Sequence, residues 1–400
     1  MIEFCEKEDL SVVTIVIPQS RLTYCLSMVL SLWPYYAIQF DCRGTMISEH
    51  WFQAFLPIMN PECEYLQFIV KDSDVQEFMA FCVDVNELHL PGRGAIFSAK
   101  CNRMFSTSKA IMSYENTTVI HETHNENNQF KNNVYAIYAV IQSGKTDQAI
   151  KAAIQAGSHG PVVYFVEGRG TRDRAGWLKI TKKPYEEVLM MLVEDIDRDS
   201  VKEALVSASR VGTLGGGVIF DMPLDNALVN LPTSIGNKKQ RSSNEQITAA
   251  LDQLMGNTDW RKHRALDTLL NKTQNIQQEG NDEERQVLLN AILPRKYANE
   301  FLDQILIIGI HGANVIYSKL FSVDDADDEK GVQIHHEVAH IRMVVSEEMA
   351  LGFLTEMKDF VTEQDYTGAI LYQQELSEVI RYQKKQKQKQ ENDYIYRGAI

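Results

Sequence analysis

Cysteine is scarce and confined to the first quarter of the chain: none follows Cys101, and none of the six cysteines forms a C-x-x-C pair. The paired ligands of a zinc ribbon and the dithiol of a redox motif are therefore missing. Isolated cysteines of this kind are typical of reduced, buried side chains in a cytoplasmic protein. We expect no bound metal.

The 400-residue chain also lacks an excess of positive charge and any long apolar run. Its 54 acidic residues outnumber its 40 lysines and arginines, for a net charge of −14, which argues against nucleic acid or an anionic membrane as the main partner. No stretch approaches the length of a transmembrane helix. The first ten residues, MIEFCEKEDL, carry acids where a secretory signal carries basic residues. A cytoplasmic protein is expected.

Apolar periodicity in the middle of the chain predicts alternating strands and helices. Val134–Ile141 has the composition of a strand, and Lys145–Ala156 has apolar residues at helical spacing, with Gly157 placed to end the helix. A strand from Val162 then runs into Gly168-Arg169-Gly170-Thr171. A further strand, helix and strand follow at Glu187–Val193, Val201–Ala208 and Val218–Phe220. This βαββαβ order predicts a ferredoxin-like α+β fold.

Two motifs of this stretch recur earlier in the chain, in the same order. Arg169-Gly170-Thr171 repeats Arg43-Gly44-Thr45, and Gly215-Gly216-Gly217 repeats the glycines of Gly92-Arg93-Gly94 at nearly the same offset. A third, more divergent copy is indicated by Gly309-Ile310-His311-Gly312, which again follows a helical pattern. This copy has no Arg-Gly-Thr and no glycine-rich closing loop. Three tandem units are therefore predicted.

The units and the polar stretches between them give the predicted domain organisation. Polar, Asn-rich and Gln-rich segments separate the units, and two helical patterns occur in the second of these segments. The predicted boundaries are domain one at 1–112, a linker at 113–133, domain two at 134–232, a helical linker at 233–283, domain three at 284–380 and a Lys/Gln-rich tail at 381–400.

Each unit resembles the PII-type nitrogen-regulatory signal-transduction family, whose ferredoxin-like domain has a long T-loop after its second strand. The resemblance rests on the strand–helix–Gly-x-x-Gly–strand opening at Val134–Tyr164, the Gly-Arg-Gly of the loop base, and the Gly-x-Gly before the last strand. It covers most of the chain outside the linkers. The family forms trimers, so the resemblance implies that three units in one chain close into a pseudo-trimer. A monomer, or a dimer of such pseudo-trimers, is then expected.

The resemblance also implies nucleotide sites, because ATP or ADP lies between neighbouring subunits of the family. Glycines let backbone N–H groups converge on phosphate oxygens, and adjacent basic side chains supply charge. The implied cofactor-binding residues at the T-loop base and in the B-loop are Gly168, Arg169, Gly170, Thr171, Arg172, Gly215, Gly216 and Gly217 in the second unit, and Arg43, Gly44, Gly92 and Gly94 in the first.

This sequence departs from the family at several of these positions. The lysine that follows the B-loop in the family is Val218 in the second unit and Ala95 in the first, and the Gln-Lys pair of the T-loop base is Arg172-Asp173 and Met46-Ile47. The second unit retains the most basic loop. We therefore expect the cleft that it lines to be the one that binds an anion.

The function implied is that of a non-enzymatic regulator, which senses a small effector such as an adenine nucleotide and acts on a protein partner. Two alternatives remain. The chain is a structural or assembly module that kept the fold and lost the ligand, or it is a zinc hydrolase. The second alternative rests on His336-Glu337-Val338-Ala339-His340, which matches H-E-x-x-H. We predict a strand there, on which residues four apart lie roughly 13 Å apart, too far to share one zinc ion.

Overall fold

The structure, a computed structural model, describes residues 5–7, 9–33, 35–44, 46–47, 62–90, 92–107, 130–169, 185–209, 211, 217–230, 234–235, 285–310, 312–323, 333–364, 366 and 368–381. The helical patterns predicted around Leu251 and Leu269, the loop that follows Arg169 and the tail after Arg381 lie outside these residues. No helix within them is both long enough and apolar enough to cross a membrane.

The described elements follow a βαββαβ order three times. The first part of the chain contains β1 (Cys5–Lys7), β2 (Leu10–Pro18), α1 (Leu22–Leu32), β3 (Ala37–Gly44), β4 (Met46–Ile47), β5 (Glu62–Lys71), α2 (Val75–Asn86), β6 (Gly94–Cys101) and β7 (Arg103–Ser106). The middle part contains β8 (Val134–Gln142), α3 (Thr146–Ala156), β9 (His159–Arg169), β10 (Tyr185–Glu194), α4 (Arg198–Ser209), β11 (Val218–Pro223), β12 (Asn226–Asn230) and β13 (Ser234–Ile235). The last part contains β14 (Gln286–Pro294), α5 (Ala298–Ile307), β15 (Ala313–Val323), β16 (Gln333–Ser346), α6 (Glu347–Glu363), β17 (Ile370–Glu375) and β18 (Glu378–Arg381).

In each part the four long strands pair in the same antiparallel order: fourth, first, third, second. The orders are β6-β2-β5-β3, β11-β8-β10-β9 and β17-β14-β16-β15. We call these sheets, with their two helices, the first, second and third unit. The predicted α+β class is confirmed, and so is the strand predicted at His336–His340, which lies within β16.

Short strands that the sequence did not predict connect the units. The strand that follows each unit pairs with the last strand of a different unit: β7 with β17, β12 with β6, and β18 with β11. The second strands β3, β9 and β15 also pair with one another, each with the other two. All three units therefore belong to one 16-stranded sheet.

Two boundaries differ from those predicted. β3 itself includes Arg43 and Gly44 of the repeated motif, and these two residues pair with β9 of the second unit. β9 begins at His159 instead of Val162. Arg381, predicted to open the tail, instead ends β18 by pairing with Val218 of β11.

Both faces of the long strands are buried. In β10, one face is covered by the other units and the opposite face by the two helices of its own unit. Its side chains at Val188, Met190 and Leu192 point into a central cluster formed with the other units. The intervening residues, Leu189, Met191 and Val193, pack against α3 and α4. Alternate side chains point to opposite faces of a strand, so an unbroken apolar run is what a sheet covered on both faces requires.

Candidate functional site

The loop base of the first unit lies against the second unit. Arg43, the next-to-last residue of β3, has its Nη2 3.5 Å from Oε1 of Glu187 on β10, and its guanidinium lies 5.5 Å from the ring centre of Phe165 on β9. Glu187 is only 5% exposed and also accepts a hydrogen bond from the Thr146 hydroxyl. Burial raises the pKa of the Glu187 carboxyl, and the positive charge of Arg43 partly opposes this.

The loop base of the second unit lies against the third. Arg169 forms an ion pair of 2.8 Å with Glu167 on its own strand, and its Nη2 donates to Oδ1 of Asn299 on α5 at 3.4 Å. The Tyr317 hydroxyl of β15 donates to the other oxygen of Glu167 at 3.1 Å. Gly168 precedes Arg169 within β9. Gly170, Thr171 and Arg172 lie outside the described residues.

The corresponding segment of the third unit has lost the arginine and lies against the first unit. Its loop base is Phe321, which pairs with Ala37 of β3. The buried carboxylate of the first unit, Glu64, is bound by its own neighbour: Nε2 of Gln39 donates to Glu64 Oε2 at 2.5 Å. Burial raises the pKa of Glu64, while the Gln39 hydrogen bond and the charge of Lys319 oppose the rise.

One position on the third strand distinguishes the three joints between units. Glu64 pairs with Ile17, Glu187 with Ile141, and Ala339 with Leu293, so these three residues occupy the same register in their units. In the first-to-second joint, Glu187 meets Arg43. In the third-to-first joint, the position is Glu64 of the first unit, and the loop base that the third unit brings to this joint is Phe321. In the second-to-third joint, the position is alanine, and Arg169 pairs with a carboxylate of its own strand.

The glycines before each last strand are explained by packing. A Cβ atom on Gly94 would lie 2.1 Å from the carbonyl oxygen of Val16, and one on Gly217 would lie 2.0 Å from that of Val140. Both have positive φ, as does Gly92. No side chain fits at the first two positions, so these glycines are required by the sheet whether or not a ligand binds. Gly215 and Gly216 lie outside the described residues.

The structure brings part of the predicted site together. At one end of the second unit's sheet, Val218 pairs with Val140, and the adjacent Ile141 pairs with Glu187. Gly217, which precedes Val218, is therefore close to the residue that binds Arg43 of the first unit. From the sequence, each loop base was expected to form a site with the closing loop of its own unit. In the structure, the loop base of the preceding unit also lies at that end of the sheet, as Arg43 of the first unit does beside Glu187 of the second.

Several residues at these joints were not predicted to belong to a site. Glu187, Glu167, Tyr317 and Asn299 were not candidates, because each belongs to a segment that was predicted only as a strand or helix. Acidic residues on buried strands were the available signal: Glu187 is the second residue of the run EEVLMMLV, and a buried carboxylate needs a partner.

The H-E-x-x-H segment does not form a metal site. His336 is exposed, whereas His340 is fully buried and its Nε2 lies 3.0 Å from Oδ1 of Asn290. In the part of the chain that the structure describes, no three residues among His, Cys, Asp and Glu are arranged to hold a metal ion.

Comparisons with known proteins identify relatives of one unit's length. The chain is 30% identical over 104 residues to the nitrogen fixation nifHD region glnB-like protein 1 of Methanococcus maripaludis, a match that covers 25% of this chain and 96% of that protein. It is 32% identical over 111 residues to nitrogen regulatory protein P-II 2 of Methanothermobacter thermautotrophicus, covering 26% of this chain and 93% of the relative.

Two other comparisons add little. The search found no protein-family model that matches the chain. Among solved structures, aspartate kinase from Synechocystis aligns with 92% of this chain and 44% of its own, at 8% identity and a TM-score of 0.20. That score is too low to indicate a shared fold. Because these two relatives are matched over nearly their whole length at 30% and 32% identity, the chain belongs to the family of P-II (GlnB-like) nitrogen-regulatory proteins.

Proposed function

We propose that this chain is a non-enzymatic, cytoplasmic P-II-like regulator that binds a small anionic effector and acts on a protein partner. An adenine nucleotide is the first candidate for the effector. The names of the relatives support a regulatory role. The described geometry supports an anion site at one joint between units and disfavours it at the other two.

The observation that carries the proposal is the alanine at the second-to-third joint. A buried carboxylate near an anion site opposes phosphate binding by charge repulsion. The first-to-second joint has Glu187, which pairs with Arg43, and the third-to-first joint has Glu64, near which the third unit places Lys319 and no arginine. Arg169 is also paired, with Glu167 of its own strand at 2.8 Å. What sets the second-to-third joint apart is that the facing unit has an uncharged residue, Ala339, and no buried carboxylate at this position. We therefore place the effector there.

We further propose that the three units replace the three subunits of a trimer. The strand pairings support this, because the added strands connect first to third, third to second and second to first. The mutual pairing of β3, β9 and β15 supports it as well. A sheet edge exposed in an isolated unit is covered by a neighbouring unit in this arrangement. Domain boundaries near 112, 134, 232 and 284 follow from it.

The test is a ligand screen on the full chain. A ligand that binds the native state raises its melting temperature, so a thermal-shift screen with ATP, ADP, AMP, cyclic nucleotides and bicarbonate identifies the effector class. Isothermal titration calorimetry then gives stoichiometry, and one site per chain is expected. No stabilisation by any of these compounds would reject an effector of this class.

A second candidate function, an assembly module without a ligand, is favoured by one observation. Gly94 and Gly217 are required by the close approach of β2 and β8, so their presence does not depend on phosphate. This alternative predicts no ligand at any joint and an interaction only with protein.

A further inference from the structure

A cavity of about 160 Å³ lies on the outer face of the sheet where the first and third units meet. Its lining includes Gln39 and Asp41 from β3, Tyr317 and Lys319 from β15, Arg295 from the turn after β14, and Glu337 from β16. It lies beside the second-to-third joint, because Tyr317 also donates to Glu167, the ion-pair partner of Arg169. Its other lining side chains give it a chemistry that differs from that of an anion site.

Gln39, one of the residues that line the cavity, has an unused hydrogen-bond acceptor. The side chain is 2% exposed, and its Nε2 donates both of its hydrogens, to Asp41 Oδ1 at 3.1 Å and to Glu64 Oε2 at 2.5 Å. Two carboxylate partners fix the orientation of the amide, since only the nitrogen can donate to them. Oε1 is therefore the free atom, and in the described residues it is buried with no donor. A buried acceptor without a donor is costly, and a ligand with an N–H group removes that cost.

The charges around the cavity are balanced. Arg295 and Glu337 form an ion pair of 3.1 Å, and the Arg295 guanidinium stacks 4.3 Å from the ring centre of Tyr317. Lys319 forms no hydrogen bond or ion pair with any side chain that the structure describes, although its charge acts on the buried Glu64, and it shares the cavity lining with Asp41. A ligand thus meets one ammonium group and one carboxylate, backed by the carbonyl oxygen of Gln39.

This arrangement excludes a polyphosphate and fits a small zwitterion. Asp41, Glu337 and the buried Glu64 would repel a multiply charged anion. We propose that the cavity binds a small α-amino acid, whose ammonium group is held by Asp41 and Oε1 of Gln39 and whose carboxylate is held by Lys319. The ammonium group has three N–H donors, enough for both acceptors. The side chain of the ligand lies against the Tyr317 ring and Val338.

The site goes beyond the proposed anionic effector, because the groups that would hold the ligand's two charges, Asp41, Gln39 and Lys319, belong to the third-to-first joint. The chain would then respond to two kinds of small molecule, one at the second-to-third joint and one at the third-to-first joint. Tests of the two sites are independent: loss of one kind of binding leaves the other measurable in the same sample.

The test is calorimetry on the full chain with glycine, L-alanine and L-glutamine at millimolar concentrations. Propionate and ethylamine, which each carry half of the zwitterion, serve as comparison ligands. We expect at least one amino acid to bind and both half-ligands to bind at least about tenfold more weakly, since each lacks one charge-assisted contact. Failure of all three amino acids to bind, or propionate binding as tightly as L-alanine, would overturn the proposal.

Variants locate the site. Lys319→Met removes the ligand's carboxylate partner at an exposed position and is expected to weaken amino-acid binding about tenfold or more. Because the charge of Lys319 also opposes the pKa rise of the buried Glu64, a small loss in melting temperature is expected with it. Lys319→Arg, which keeps the charge, should bind within a few-fold of the wild type. Lys151→Met, at an exposed lysine on α3, is the matched control and should have no effect. Equal affinities of the Lys319→Met and Lys151→Met variants would show that the ligand binds elsewhere, which contradicts the assignment.

Discussion

Arg342 of the third unit donates a hydrogen bond from Nη1 to the Tyr164 hydroxyl of the second unit at 2.8 Å. Its Nη2 donates to Gln67 of the first unit at 2.9 Å, so one side chain contacts all three units. Arg342 is only 7% exposed, and it forms no ion pair among the described residues. Removing one partner of a buried charge is costly because the charge loses a contact that water cannot replace.

We therefore expect Tyr164→Phe to destabilise the protein by about 1–3 kcal/mol. The same change made in an Arg342→Met background should cost less, because the donor is already gone. Urea denaturation of the two single variants and the double variant gives the coupling energy. Tyr138→Phe is the matched control, since that hydroxyl lies 3.2 Å from the Tyr65 hydroxyl and does not bond Arg342. A coupling energy near zero between Tyr164 and Arg342 would contradict the bridging role.

The position of Arg342 shows that the apolar periodicity of the three units does not determine which side chains meet between them. Arg342, Gln67 and Met190 pair with Asn290, Thr14 and Tyr138, the equivalent residues of the three first strands. One arginine, one glutamine and one methionine therefore converge where three identical residues would meet in a symmetric trimer. Periodicity predicted the strands, but it carries no information on which side chains meet across units.

His340 provides a pH-dependent term in the stability. It is fully buried, and burial lowers the pKa of its imidazole well below the ordinary value, with the charge of Arg342 lowering it further. The unfolded chain then binds a proton at a higher pH than the folded chain does. The stability contribution is complete above the unfolded pKa of about 6.5 and is lost progressively as the pH falls below it.

Urea denaturation between pH 7.5 and pH 5 measures this term, as a loss of up to about 1.4 kcal/mol per pH unit below 6.5. His340→Gln should reduce the slope, because the glutamine has no proton to bind. His336→Gln, at an exposed position on the same strand, should leave the slope unchanged. A slope that is identical in the wild type and the His340→Gln variant would show that another group is responsible.

The strands and helices of each unit could be predicted from the sequence, because each is an apolar run or a helical pattern bounded by glycine, proline or acidic residues. The end of α3 at Gly157, with φ of 118°, is one such boundary. The connecting strands β7, β12 and β18 could not be predicted. They are short and partly polar, as in Glu378–Arg381, and they are strands only because a neighbouring unit offers an unpaired edge.

The candidate site was only partly predictable for the same reason. Arg43 and Arg169 were visible as repeated Arg-Gly-Thr motifs. Their partners are 144 residues away for Arg43, at Glu187, and 130 residues away for Arg169, at Asn299. Which of the two arginines is neutralised by a buried carboxylate of the next unit depends on strand register between units, which no local pattern contains.

This difference leads to a prediction for the anionic effector identified in the ligand screen. Arg169→Ala should weaken its binding about tenfold or more, because a charge-assisted contact to phosphate contributes roughly 1.5–3 kcal/mol. Arg43→Ala should have a smaller effect, since the buried Glu187 of the facing unit would repel a phosphate beside Arg43, whereas the facing unit has Ala339 at that position in the second-to-third joint. Arg172→Ala tests the adjoining loop residue and is also expected to weaken binding. Calorimetry with equal losses for Arg43 and Arg169, or a larger loss for Arg43, would show that the ligand occupies the first-to-second joint.

The solution mass tests the proposal that three units replace three subunits. If the pairings of β7, β12 and β18 are made within one chain, the edges through which P-II-like units would associate are already covered. We expect a 45.6 kDa monomer, or a dimer of such chains, by light scattering across a range of protein concentrations. The Lys202 ammonium bonds Glu378 of β18 and lies 3.3 Å from the buried Asp221 of β11. Glu378→Lys should therefore weaken the attachment of β18, the strand that follows the third unit, to the second unit. That variant is expected to show a lower melting temperature or concentration-dependent self-association, while Glu348→Lys, at an exposed position on α6, should behave like the wild type. An obligate homotrimer of full-length chains, in the wild type, would exclude pairing within one chain.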